Sequence, residues 1–160
     1  RSQGLAMIRG IRIALTFAVL ASAGCNPGPA ELAPAAAEAD HRSGILGEVG
    51  EMLVLARADR HGKPPSKLAD LARYGGGFPS GFERLKSGDV VLLWDAPLEE
   101  GAGDKVLAYE KVAPESGGYV LMQDGTTVKS LTAEEFRAAP KAPGKLAAPG
   151  EAKAGAKKAG

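Results

Sequence analysis

Ile45, Val49, Met52, Leu53 and Ala56 recur at i, i+4, i+7, i+8 and i+11, which puts them on one stripe of a helix. Glu48, Glu51 and Arg57 fall largely off that stripe. The pattern predicts a helix from about Gly44 to Arg60, with Ser43 as its N-cap and His61-Gly62 as its stop. Pro64-Pro65 prevents its continuation. A short helix over Lys67–Ala72, capped by Ser66, would bury Leu68 and Leu71. From Tyr74 to Leu85 the run Gly75-Gly76-Gly77 and Pro79 read as irregular chain.

The period then changes. Val90-Val91-Leu92-Leu93-Trp94 is an unbroken apolar run within Asp89–Trp94, the pattern of a strand buried on both faces. Lys105–Val112 is a second strand candidate. Tyr119–Gln123 and Thr126–Ser130 flank Asp124-Gly125, a hairpin signal whose turn is expected to want positive φ at both central residues. Thr132-Ala133-Glu134-Glu135 is a capping box that opens a last short helix and buries Phe136. The expected fold is α+β: one amphipathic helix packed on a small antiparallel sheet of three to four strands, with a short terminal helix.

Composition sets the borders of that unit. Of 160 residues, 29 are Ala, 22 Gly and 11 Pro, so much of the apolar content cannot build a core. Every aromatic except Phe17 lies in the segment 44–137, the expected globular domain. Residues 25–43 are rich in Pro and Ala and read as an extended tether. Residues 138–160 are Ala, Pro, Gly and Lys apart from Leu146 and Glu151 and read as a disordered basic tail. The net charge of +1 hides a domain at −4 and a tail at +4.

The N-terminal segment is the most specific part of the sequence. Arg9 and Arg12 precede the apolar run Ile13–Leu20, and small residues lead to Gly24-Cys25. That is the layout of a secretory signal peptide over residues 1–24. Its apolar stretch is too short to span a bilayer, which takes about 20 residues. Met7 stands where an initiator is expected. Cys25 is the sole cysteine, which excludes an intrachain disulfide and a Cys/His zinc cluster within the chain.

Ala21-Ser22-Ala23-Gly24-Cys25 resembles a bacterial lipoprotein signal. The resemblance implies lipidation of Cys25, an anchor in a membrane and a periplasm-facing cell-envelope location. The Asn at position 26, where an Asp would signal inner-membrane retention, points to the outer membrane. Two other readings stand beside it. Ala21-x-Ala23 suits an ordinary signal-peptidase site that would release a soluble secreted binding module, and the cysteine is otherwise incidental.

The domain carries a second resemblance. Lys63-Pro64-Pro65-Ser66-Lys67-Leu68-Ala69-Asp70-Leu71 after the long helix, and Gly118–Lys129 around the Asp-Gly turn, are similar to the globular part of type II secretion pseudopilins and planctomycete-type pseudopilin-like proteins. The resemblance implies a non-catalytic structural or protein-binding role, with an envelope protein partner taken by strand-edge pairing. Pro114 stands where the family has a His, and the prepilin cleavage site and long assembly helix are absent from the sequence. Assembly into a pseudopilus is therefore not part of the expectation.

Chemistry-bearing residues are sparse. Ser80 sits in Gly77-Phe78-Pro79-Ser80-Gly81, whose spacing is not that of a nucleophile elbow. His41 is expected in the tether and His61 at a helix end, where a cation suits the dipole. Gly75-Gly76-Gly77 lacks the Gly-Lys-Ser/Thr of a phosphate loop. Glu99, Glu100 and Asp104 form a weak calcium candidate in a loop without EF-hand spacing. Lys141, Lys145, Lys153, Lys157 and Lys158 are weak candidates for contact with an anionic polymer. No catalytic residue, cofactor, nucleic-acid site or small-molecule substrate is expected. A hydrolase would instead show a pocket near Tyr74, Trp94 and Asp95.

Overall fold

The computed structural model describes residues 29–146, side chains from residue 35 on. The α+β expectation holds. Helix α1 (Pro29–Asp59) packs on a four-stranded antiparallel sheet in the order β1 (Val90–Leu92), β2 (Val106–Glu110), β3 (Gly118–Met122), β4 (Val128–Leu131). The apolar stripe of α1 is its buried face: Leu46, Val49, Met52 and Ala56 are inaccessible to solvent. His61 (φ 54°) and Gly62 (φ 85°) end the helix, the Gly62 N–H donating to the Arg57 carbonyl at 2.8 Å.

The sheet has two covered faces rather than one. Along β3 the side chains alternate, as a period of two requires. Tyr119 and Leu121 join the cluster under α1, while Val120 and Met122 join Ala113 and Phe136 on the other side. That second layer is built by α3 (Ala113–Ser116) and α4 (Ala133–Ala138). The capping box of α4 forms as expected, with Thr132 accepting from the Glu135 N–H and Glu135 accepting in return from the Thr132 N–H.

Several expectations change. Helix α1 begins at Pro29, not near Gly44, so most of the expected tether is helix. Proline suits a first helical position, and Ala35-Ala36-Ala37-Glu38-Ala39 is strong helix-forming sequence. Ser43 is consequently inside the helix, its hydroxyl donating to the Asp40 carbonyl. The expected helix at Lys67–Ala72 is two 3₁₀ turns, Leu68–Asp70 and Ala72–Tyr74. Ser66 does not cap it; its N–H and hydroxyl both donate to Asp70.

The stretch taken as irregular contains α2 (Pro79–Ser87), which opens on Pro79 and closes on Gly88 at φ 79°. Gly81 lets this helix meet α1: a Cβ there would stand 2.9 Å from the Glu48 Cβ. Strand β1 is an edge strand, shorter than the apolar run that predicts it. In the β3–β4 turn only Gly125 has positive φ. Asp124 works as an acceptor instead, its carboxylate taking the N–H groups of Thr126 and Thr127 and the Thr127 hydroxyl.

The C-terminal segment is also ordered further than expected. Past α4, the chain returns to the sheet where β1 leaves it. The Val106 N–H donates to the Pro140 carbonyl and the Ala142 N–H to the Val106 carbonyl, both at 2.8 Å. After a tight turn at Pro143-Gly144, Lys145 pairs antiparallel with Trp94. Ala142 is buried.

Candidate functional site

Two concave regions flank β1. The first is a polar cleft of about 390 Å³ between the N-terminal half of α1 and the ends of β1 and β2. Arg42 dominates it. Its guanidinium makes a two-pronged ion pair with Glu110, Nε to Oε1 at 2.8 Å and Nη2 to Oε2 at 2.5 Å. Glu110 Oε2 also accepts the Tyr119 N–H at 2.7 Å. The Arg42 guanidinium lies 5.3 Å from the Tyr119 ring centroid. Hydrogen bonding to Glu110 pushes the Arg42 pKa up. Both oxygens of Glu110 are therefore engaged, and the pair clamps α1, β2 and β3 together. His41 lines the same cleft and is exposed.

The second region is an apolar cleft of about 320 Å³ along the outer side of β1. Leu68 and Leu85 form one wall, Val91 and Tyr109 the other, with Trp94 and Leu146 at the end. Tyr109 packs against Phe136 at 4.8 Å between ring centroids, and burial pushes its phenol pKa up. The backbone pattern matters as much as the side chains. The Lys111 N–H donates to the Asp89 carbonyl and the Leu93 N–H to the Leu107 carbonyl. In an antiparallel ladder the bonded residues alternate, so Asp89, Val91 and Leu93 face β2. Val90 and Leu92 present their N–H and C=O groups to the opposite, outer side. Shape and backbone groups without a partner among the described residues together suit an extended peptide.

The residues singled out in the sequence are scattered. Cys25, Lys153, Lys157 and Lys158 lie outside the described residues. Lys141 is turned back onto its own chain. Its ammonium donates to the carbonyls of Phe136 at 2.5 Å and Ala139 at 2.7 Å, capping the end of α4, and lies 4.0 Å from the Phe136 ring centroid. Burial lowers its pKa. Lys145 pairs with Asp95 at 3.1 Å. Among the described residues no three His, Cys, Asp or Glu side chains gather as a metal site. Glu99, Glu100 and Asp104 are thus not brought together for calcium; Glu99 turns to Lys105 at 3.4 Å.

Tyr74, Trp94 and Asp95 do not share a pocket either. The Tyr74 hydroxyl donates to Asp59, Trp94 lines the apolar cleft and Asp95 faces Lys145. Ser80 is in the first turn of α2, and His61 is exposed just past α1. The sequence reading missed Arg42, Glu110 and Gln123. Gln123 is fully buried at the end of β3, where its Nε2 donates to the Pro97 carbonyl at 3.0 Å while Oε1 has no partner among the described residues. No spacing signal marks any of the three.

Comparison of the chain with protein-family models, with curated proteins and with solved structures finds no match. Among the described residues no helix is long and apolar enough to cross a membrane.

Proposed function

We propose that this chain is a small lipid-anchored cell-envelope protein. Its non-catalytic, pseudopilin-like domain faces the periplasm and plays a structural or protein-binding role. Cys25 carries the anchor, and Asn26 directs it toward the outer membrane. The observation that carries this reading is the segment from Arg9 to Gly24-Cys25, whose basic, apolar and small-residue blocks follow in signal-peptide order. A diacylglyceryl group with an added N-acyl chain meets the requirement of more than one chain for stable anchoring.

The fold supports the reading at a second point. Helix α1 starts at Pro29, four positions past Cys25. Arg42 is the first described side chain to hydrogen-bond to the sheet. At about 1.5 Å of rise per residue, the helix from Pro29 to Arg42 spans roughly 20 Å. On this reading the helix spaces the sheet from the anchored end of the chain, and the apolar cleft along β1 meets a protein partner.

Replacing Cys25 tests the proposal. In membrane fractionation of the full chain, Cys25→Ser moves the protein from the membrane pellet to the soluble fraction. A variant that fractionates like the parent removes the anchor from the function, and a parent found soluble with its N-terminus after Ala23 makes it a secreted binding module.

A further inference from the structure

The chains of β1 and β2 part after the bond from the Leu93 N–H to the Leu107 carbonyl, at 3.0 Å, and a notch opens between Trp94 and Val106. Residues 140–145 fill it. Lys141 lies parallel to Val106: the Val106 N–H donates to the Pro140 carbonyl and the Ala142 N–H to the Val106 carbonyl. Lys145 lies antiparallel to Trp94, with bonds of 2.8 Å and 2.7 Å. With the segment in place Trp94 and Val106 are buried. Without it, their backbone groups lose these bonds and apolar surface meets water, so the notch favours an extended occupant.

Backbone bonds are indifferent to sequence, but the notch also reads side chains. Ala142 is buried. A Cβ at Gly144 would stand 2.8 Å from the Leu93 Cβ and from the Trp94 carbonyl oxygen, so this place takes glycine. Lys141 sets its ammonium 4.0 Å from the Phe136 ring centroid, and Lys145 brings a cation to Asp95. The accepted pattern is cation, small residue, any residue, glycine, cation. The ladders of β1 to β4 are made between other residues or on the other side of Val106, so the segment can leave without breaking them. Its one ion pair is exposed and holds it weakly.

We propose that the notch between Trp94 and Val106 is a recognition site for an extended segment of another protein with this pattern, and that residues 140–145 are its resident, self-inhibiting occupant. The inference rests on the protein-binding role above and supplies the chemistry of the partner. The incoming segment pairs with Val106 and Trp94 through its backbone, sets a glycine against Leu93 and brings a cation to Asp95. The resident is tethered and so competes at high effective concentration, which keeps the site closed until a partner segment is itself concentrated nearby.

Trp94 is the sole tryptophan, and its emission reports the notch. The probe is a synthetic peptide, Ala-Pro-Lys-Ala-Pro-Gly-Lys-Leu, with the sequence of residues 139–146. In the full chain Gly144→Val drives the resident out and should shift Trp94 emission to the red. The peptide should reverse that shift and bind this variant about tenfold or more tighter than the parent, whose notch is filled. The same peptide with Val in place of its Gly should do neither. Lys145→Glu sets like charges at Asp95 without adding bulk, so it should also gain peptide binding even where Gly144→Val unfolds the domain. Failure of the peptide to bind Lys145→Glu and a folded Gly144→Val overturns the proposal. Equal binding to parent and variants, or equal binding of the Val peptide, overturns it as well. A parent that self-associates with rising concentration, and ceases to when the peptide is added, assigns the notch to a second copy and overturns it too. None of these readouts involves Cys25, so a failure here and a failure of anchoring in membrane fractionation are told apart.

Discussion

The two segments that flank the domain have similar composition and opposite means of order. Residues 29–43 and 138–146 are both rich in Ala and Pro and poor in large apolar side chains. The first is ordered from within: its helix makes its own backbone bonds, and among its described side chains Arg42 is the one that hydrogen-bonds to the sheet. The second has little internal hydrogen bonding beyond the turn in which the Gly144 N–H donates to the Ala142 carbonyl. It is held by four backbone bonds to Val106 and Trp94, by the Lys141 cap on α4 and by burial of Ala142. Low complexity therefore does not distinguish a chain without structure from one whose backbone partners are distant in sequence.

Cutting the helix's hold on the core breaks this comparison most strongly. Leu46 is fully buried under the sheet, and Leu46→Ala should lower domain stability by about 2–5 kcal/mol in denaturant titration. A loss below 1 kcal/mol would mean that α1 is held by its own helicity along its whole length. Gly144→Ala probes the other segment. A Cβ there would stand 2.8 Å from the Leu93 Cβ and from the Trp94 carbonyl oxygen. The substitution should cost about 1–3 kcal/mol and expose the Trp94 indole, read by its fluorescence. Unchanged stability and emission would show that the segment gives way without consequence to β1.

The smallest effect is at the β3–β4 turn, where one carboxylate adds to the backbone bonds of Met122 with Thr127 and Gly125. Partial burial would raise the Asp124 pKa, yet hydrogen bonds from Thr127 and Thr126 outweigh it and the net shift is downward. A lowered folded pKa means that the stabilisation is present above the ordinary Asp range and is lost as pH falls through the folded value. Asp124→Asn should therefore flatten the stability decline below about pH 4. Parallel declines in the two proteins would remove Asp124 as a contributor.

Where side-chain pattern decides structure, the sequence was readable. The stripe Ile45–Ala56, the strands flanking Asp124-Gly125 and the Thr132–Glu135 box each map to the element expected of them. Helix α2 is not evident because the Gly75-Gly76-Gly77 run before it reads as loop, although Pro79 at its start and Gly88 at its end are helix boundary signals. The start of α1 was missed because proline was read as tether rather than as a first helical residue. The apolar cleft was legible only in part. Val90–Trp94 announced a strand, but which edge stays open depends on sheet order, and sheet order depends on contacts far apart in sequence. The Arg42–Glu110 clamp joins residues 68 positions apart and leaves no local trace.

The most direct measurement is the intact mass of the N-terminal peptide from protein extracted out of membranes. Lipid anchoring predicts a mature chain that begins at Cys25 and carries a diacylglyceryl group, with or without an N-acyl chain. An unmodified N-terminus at Gly24, or an uncleaved signal, would contradict it.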